Sequence, residues 1–130
     1  TLPLWTPTPE QIARTAVAGF AKAASRRFGP DLPDYPALHR WSVERPDQFW
    51  DALWDWAGIQ GEKGGIIVEN LEKMPGACWF PQARLNFAEN LLRRRDEGEA
   101  IIFRGEDKVR RRLSWRRLYD QGSRLMAALK

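Results

Sequence analysis

Residues Trp79–Leu92 read WFPQARLNFAENLL, and the fold turns on how this run is parsed. Asn86 is a helix cap, and Glu89 stands three residues later, where a capping box places its acidic partner. Phe87, Leu91 and Leu92 then face inward over a short helix that ends in Arg93–Arg95. Trp79, Phe80 and Pro81 are too bulky and stiff for a loose linker and fix the approach to that helix. The run holds no obvious acid, base or metal site, and no role follows for Arg84. It reads as a structural joint between a helical region before it and a mixed region after it.

Upstream, TPTPEQIARTAVAGFAKAASRRFGP reads as one helix with both ends marked. Thr8 caps it, Pro9 takes the first helical position and Gln11 closes a capping box. Ile12, Ala16, Val17, Phe20, Ala24 and Phe28 fall at three- and four-residue spacing, one apolar stripe, until Gly29–Pro30 stops it. DLPDYPALHRWSV is a loop and a short helical turn, with Leu38, Trp41 and Val43 on its buried side. RPDQFWDALWDWAGI is a second strong helix, opened by Pro46, closed by Gly58, and striped by Phe49, Trp50, Leu53, Trp54 and Ala57. GEKGGIIVEN leads into a short strand at Ile66–Val68, and LEKMPGAC is irregular with a turn at Pro75–Gly76.

Downstream, AIIFRGEDKVRRRLSW is a hairpin: strand Ala100–Arg104, turn Gly105–Asp107, strand Val109–Leu113. Ser114 caps a last helix with Trp115, Leu118, Leu125, Ala128 and Leu129 at helical spacing, weakened locally by Gly122. The fold class is therefore α+β, α-rich with a β-hairpin. At 130 residues the chain fits one domain or a piece of a larger one. Its opening at Thr1, with no methionine, suggests that a residue or a tag was removed.

Charge is uneven. Residues 1–92 hold 9 basic and 11 acidic side chains, and residues 93–130 hold 12 and 6. A basic C-terminal third permits contact with phosphates without establishing it. Arg93–Arg95, Arg110–Arg112 and Arg116–Arg117 supply most of it, yet strand alternation splits Arg110 and Arg112 from Arg111. That argues against a nucleic-acid surface and for solvated charge, with Arg93–Arg95 complementing a helix C-terminus.

The chemistry-bearing residues are few. His39 and Cys78 are the only histidine and cysteine, too few for a structural zinc site. A Cys–His nucleophile pair would need them to meet in an electropositive setting, which nothing local supplies. A single cysteine excludes an internal disulfide and suits a reducing, cytoplasmic setting. No apolar run has membrane-span length. Asp51 and Asp55 share a helix face at i,i+4 and read as the solvated side opposite the tryptophans. The glycines of GEKGG (Gly61, Gly64, Gly65) lack the Walker spacing, and no Ser or Thr follows Lys63, so an ordinary connection is expected. The tryptophan spacing suits a core or a docking face rather than a ligand platform.

Taken in order, LWTPTPEQI, YPALHRWSVERPDQFWDALWDWAGI, MPGACWFPQARLNFAENLLRRRD and AIIFRGED…RRRLSWRRLYDQGSRLMAALK resemble the N-terminal region of acetoacetyl-CoA synthetases. These belong to the acetyl-CoA synthetase-like branch of the AMP-forming acyl-CoA synthetases, the adenylate-forming superfamily. The resemblance covers essentially the whole chain. Relatives typically read WFPGARLNYAENLL, so Gln82 replaces a glycine and Phe87 a tyrosine; Arg117 stands where a capping glutamate is common.

The resemblance implies a two-step ligase that uses ATP with magnesium and coenzyme A, neutralising charge at the phosphates. It implies a helical region at residues 1–95 and the start of an AMP-binding domain at 96–130. It also implies that the remainder of the same chain is the main partner, with neither membrane nor nucleic acid involved. The family's phosphate loop, adenine and ribose motifs and C-terminal lysine lie further along than Lys130. No catalytic, cofactor-binding or metal-binding residue is therefore assigned here, and the 130 residues alone are expected to be inactive. The alternatives are another short-chain acyl-CoA synthetase of the branch, or a non-catalytic docking module.

Overall fold

A computed structural model of the chain describes residues 3–106 and 108–129. It has two compact units, Thr1–Arg84 and Leu85–Lys130. In the first, α1 (Pro9–Ala13) begins as its sequence dictates. The Thr8 hydroxyl accepts from Gln11 N, and Thr8 N donates to Gln11 Oε1 at 2.8 Å. The expected single helix then breaks. The Thr15 hydroxyl donates to the Ile12 carbonyl at 2.8 Å and accepts from Ala18 N at 3.2 Å, which ends one helix and caps the next. A threonine hydroxyl offers the backbone a local partner that competes with the helical ladder. The second helix, α2 (Ala16–Phe28), ends at Gly29, whose φ of 83° lets its N–H bond the Ser25 carbonyl. Ile12 and Val17, placed on the buried stripe by spacing, are exposed. Ile12 lies beyond the break, and Val17 sits in the first turn after it.

The segment read as a loop and a turn is a ten-residue helix, α3 (Tyr35–Glu44). Asp34 accepts from Ala37 N at 2.9 Å and Pro36 occupies the first turn, so both start signals act together. Arg45, restricted by the following proline, separates α3 from α4 (Pro46–Trp56). Leu38 and Trp41 are buried as expected, but Val43 is 65% exposed. Two residues beyond Trp41 the helix has turned about 200°, which aims Val43 away from the core.

The core joins Phe20, Ala21 and Ala24 of α2, Leu38 and Trp41 of α3, and Ala52 of α4, with Phe28, Leu32, Phe49 and Leu53 packed around them. Phe49 meets Phe20 edge-on at 5.5 Å and Trp41 at 6.0 Å, geometries favoured by the ring quadrupoles. Ala21 and Ala52, small enough to let helices approach, carry little weight in a periodicity argument and were not anticipated.

After α4 the chain runs out and returns. β1 (Val68–Glu69) pairs antiparallel with β2 (Cys78–Trp79), Val68 opposite Trp79 and Glu69 opposite Cys78. The expected strand at Ile66–Val68 thus forms two residues later. The segment 70–77 linking β1 to β2 contains the expected turn, with Met74–Pro75 cis and Gly76 at positive φ. No helix among the described residues is long and apolar enough to cross a membrane.

In the second unit the Asn86 side chain accepts from Glu89 N at 3.2 Å and starts α5 (Phe87–Leu91). Arg93–Arg95 follow this helix rather than closing it. β3 (Glu99–Arg104) and β4 (Arg110–Ser114) form the expected hairpin, with an irregularity between Glu99 and Ile101. Its tip is tied by Gly105 N to the Val109 carbonyl at 2.7 Å; Asp107, part of the expected turn, lies outside the described residues. Ser114 caps α6 (Trp115–Ala128) by accepting from Arg117 N at 3.3 Å, so the cap forms through the backbone although Arg117 cannot return a carboxylate. Residues 94–98 are tied to α6. Trp115 N donates to the Gly98 carbonyl, Arg116 N to the Asp96 carbonyl, and Arg95 lies over the Tyr119 ring at 4.0 Å. Compactness therefore divides the chain at Arg84–Leu85, inside the opening run, ahead of the 95/96 boundary that the resemblance implies. Among the described residues of this unit none is buried.

Candidate functional site

The most elaborated surface of the first unit is the outer side of α4, where the ribbon from Glu62 to Arg84 lies against it. Trp54 meets Phe80 at a 45° tilt with ring centres 4.8 Å apart, and Trp50 meets Trp79 at 5.7 Å. Helical spacing puts Trp50 and Trp54 on one row, so both grip the same extended segment. The tryptophan stripe therefore docks a piece of its own chain. The ribbon is held to itself by Phe80 N donating to the Ile67 carbonyl at 2.8 Å, and by Glu62 and Arg84 exchanging both backbone bonds at 2.8 Å. That exchange gives Arg84 a role that depends on its main chain, which side-chain chemistry could not have revealed.

Asp51 and Asp55 are not merely a solvated face, although Asp55 is exposed. Arg27 Nη2 lies 2.5 Å from Asp51, and its Nη1 pairs with Asp55. Lys63 Nζ lies 2.5 Å from Asp51 and 2.8 Å from Asp55. Two carboxylates one helical turn apart thus join α2, α4 and the ribbon. The aspartate spacing was legible, but the partners of Asp51 are 24 and 12 residues away in the chain. The Asp51 side chain is 18% exposed and that of Asp55 51%. Asp51→Asn is accordingly expected to cost more than Asp55→Asn in urea unfolding, with the latter near the exposed-pair range of about 0.2–1 kcal/mol.

The hydrogen bond from Lys63 holds Asp55 below the ordinary aspartate value of 3.8, against a smaller opposing effect of burial. Partial burial alone would push Lys63 down; its bonds to Asp51 and Asp55 outweigh this and hold it above 10.5. The depressed Asp55 contributes stability above pH 3.8 that is lost as pH falls through its lower folded value. The raised Lys63 contributes below pH 10.5, and that contribution is lost as pH rises through its higher folded value. The melting-temperature gap between wild type and Asp55→Asn should hold at neutral pH and close below pH 3.8. A gap unchanged down to pH 2 would contradict this account.

The other candidates have local duties. Tyr35 and the exposed His39 are ring neighbours at 6.3 Å, while Cys78 is a free, exposed thiol on β2. No hydrogen bond or ring contact joins His39 and Cys78 among the described residues. Gly65 N–H, the natural phosphate donor of the glycine loop, already donates to Gln82 Oε1 at 3.1 Å. No three His, Cys, Asp or Glu side chains gather to hold a metal among the described residues.

The arginines are spread over separate partners. Arg94 pairs with Asp96 at 3.0 Å and lies 5.3 Å from the centre of the Trp115 ring; Arg112 pairs with Glu99 and Arg116 with Glu97. Arg94, followed by Gly98 N–H, holds Asp96 below the usual aspartate range. An open, basic concavity at the hairpin tip is lined by Arg104, Gly105, Glu106, Lys108 and Arg110.

Comparison with known proteins converges on one group. Residues 35–91 match the family described as acetyl-coenzyme A synthetase N-terminus. The acetoacetyl-coenzyme A synthetase of Rhizobium meliloti (strain 1021) is 46% identical over 128 residues, covering 98% of this chain and 20% of that protein. The malonamoyl-CoA synthetase vrtB of Penicillium aethiopicum is 32% identical over 89% of this chain and 17% of its own length. The structure of acetoacetyl-CoA synthetase from Streptomyces lividans superposes with a TM-score of 0.87 at 35% identity, over 99% of this chain and 21% of that one. The chain thus spans about a fifth of the length of these relatives. From its capped α3 to the end of α5 it matches the acetyl-coenzyme A synthetase N-terminus, and over nearly its full length it is similar to acetoacetyl-CoA synthetases.

Proposed function

We propose that this chain is the N-terminal part of an acetoacetate–CoA ligase. The full enzyme converts acetoacetate, ATP and coenzyme A to acetoacetyl-CoA, AMP and pyrophosphate through an acyl-adenylate, with magnesium accompanying ATP. The observation that carries this reading is the 46% identity to the Rhizobium enzyme over nearly every residue present. Residues 1–95 form the helical lead of that enzyme and residues 96–130 open its AMP-binding domain. The enzyme is cytoplasmic, in keeping with a single unpaired thiol at Cys78. This region contributes architecture: α4 and its docked ribbon present a rigid wall, while ATP, coenzyme A and the acid are held elsewhere in the chain.

The test is acetoacetate-dependent ATP–pyrophosphate exchange. A protein extended to the length of its relatives should show it, and the 130 residues alone should not. Exchange by the 130-residue chain, or its absence from the extended protein, would overturn the assignment. The similarity to a malonamoyl-CoA synthetase favours a second reading, a ligase for a different short acid. Faster exchange with malonamate than with acetoacetate would select it.

A further inference from the structure

The loop joining β1 to β2 is built without the side chain of Met74. Lys73 N donates to the Asn70 carbonyl at 2.9 Å, and Lys73 Nζ donates to Asn70 Oδ1 at 2.9 Å. Ala77 N donates to the Lys73 carbonyl at 3.2 Å. A Cβ at Gly76 would lie 3.0 Å from Lys73 Cβ, so the chain closes tightly on itself here. None of these contacts uses the side chain of Met74, which stands between them. Met74 is 98% exposed, against 48% for Leu71 in the same loop. An apolar side chain so placed returns no burial to the fold. What it does present is a thioether sulfur, open to solvent, on a turn that other residues hold. The characteristic reaction of that group is the uptake of one oxygen atom. The chain has one other methionine, Met126, which is 58% exposed and lies on α6.

We propose that Met74 is a reversible oxidation site, which takes an oxygen atom from a hydroperoxide without disturbing the unit that carries it. The O–O bond of the peroxide breaks and an S–O bond forms. The sulfur is oxidised by two electrons and the peroxide is reduced. With hydrogen peroxide the transferred oxygen passes its proton to the departing one, which leaves as water. The product is a polar sulfoxide, and methionine sulfoxide reductases return it to the thioether. Inside a core the same change would break packing. At Met74 there is no apolar packing to break, and the bonds from Lys73 and Ala77 stay as they are. The site therefore absorbs oxidant at no cost in structure. It stands on the loop alone and does not depend on the proposed ligase.

The probe is hydrogen peroxide, added to the 130-residue chain carrying Cys78→Ser so that the exposed thiol does not consume it. Oxygen uptake at each methionine is followed by peptide mass spectrometry. A free peptide of residues 71–77 gives the rate for an uncovered thioether. Met74 should react within about twofold of the peptide and at least about twofold faster than Met126. Protein oxidised at Met74 alone should melt within about 3 °C of the untreated chain, as expected where no contact is lost. A methionine sulfoxide reductase should restore its mass. Met74→Leu should abolish the first uptake and leave the rate at Met126 unchanged. A Met74 several-fold slower than the peptide, or slower than Met126, would overturn the proposal. So would a clear fall in melting temperature on oxidation at Met74. The same reaction is then run on a fusion of these residues to the Rhizobium enzyme from which the aligned segment has been removed. Reactivity kept at Met74 supports the site in the longer protein, and its loss there would overturn it. None of these readouts involves acetoacetate-dependent exchange, so failure of the ligase assignment and failure of this site are told apart.

Discussion

Trp41→Ala is expected to destabilise the first unit by about 3–5 kcal/mol, the largest single effect among the substitutions considered. Among the described residues Trp41 is one of the few buried side chains, 7% exposed, and with Phe20 one of two large rings buried in the core. It meets Phe28 at 6.1 Å and Phe49 at 6.0 Å, so truncation removes one ring from a connected group and opens a cavity between α3 and α4. Single domains have about 5–15 kcal/mol in total, so the loss takes a large share. Urea unfolding followed by far-ultraviolet circular dichroism measures it without relying on the tryptophan removed. Trp41→Phe should recover more than half of the loss, because most of the volume and an edge for Phe49 are restored. Equal losses for Ala and Phe would mean that ring packing is not the source.

Gly64→Ala comes second, at about 2–4 kcal/mol. Two costs add. The φ of 78° at this residue is disfavoured for any L side chain, and a Cβ there would lie 2.6 Å from Gln82 Cβ. Gln82 Cβ sits against the backbone of the ribbon, so it cannot swing away as the end of a long side chain could. Gln82→Gly should therefore rescue Gly64→Ala in part, relieving the collision while leaving the positive φ. A double-mutant cycle should give a coupling above about 1 kcal/mol. Strict additivity would show that the two residues do not collide, and the close approach of Gly64 to Gln82 would lose its meaning. The same cycle reports whether the bond from Gly65 N–H to Gln82 Oε1 offsets the crowding.

Local signals suffice where one short window holds donor, acceptor and stop. The Thr8–Gln11 box, the Asn86 and Ser114 caps, the opening of α4 at Pro46 and the hairpin after Gly98 all follow from chemistry within a few residues. They do not suffice where two local signals compete. Thr15 can continue a helix or break it, and here its hydroxyl bonds both ways and breaks it. Phe87 and Leu91, expected inward, are 75% and 53% exposed. Helical spacing shows that two side chains share a face, but it cannot supply the layer that would cover them.

The sequence by itself determined most helix starts, the β3–β4 hairpin, the character of the fold as α-rich α+β, and the likeness to acetoacetyl-CoA synthetases, because caps, turn residues and a long run of matching words are local properties. Tertiary structure alone decided what Asp51, Gln82 and Arg84 are for. Their partners, Arg27 and Lys63, Gly65, and the backbone of Glu62, are distant along the chain and meet them only when α4 and the ribbon have folded back. No periodicity within one element encodes such a meeting. It exists because Trp50 and Trp54 hold Trp79 and Phe80 against the helix, and that packing brings the opening run beside the glycine loop.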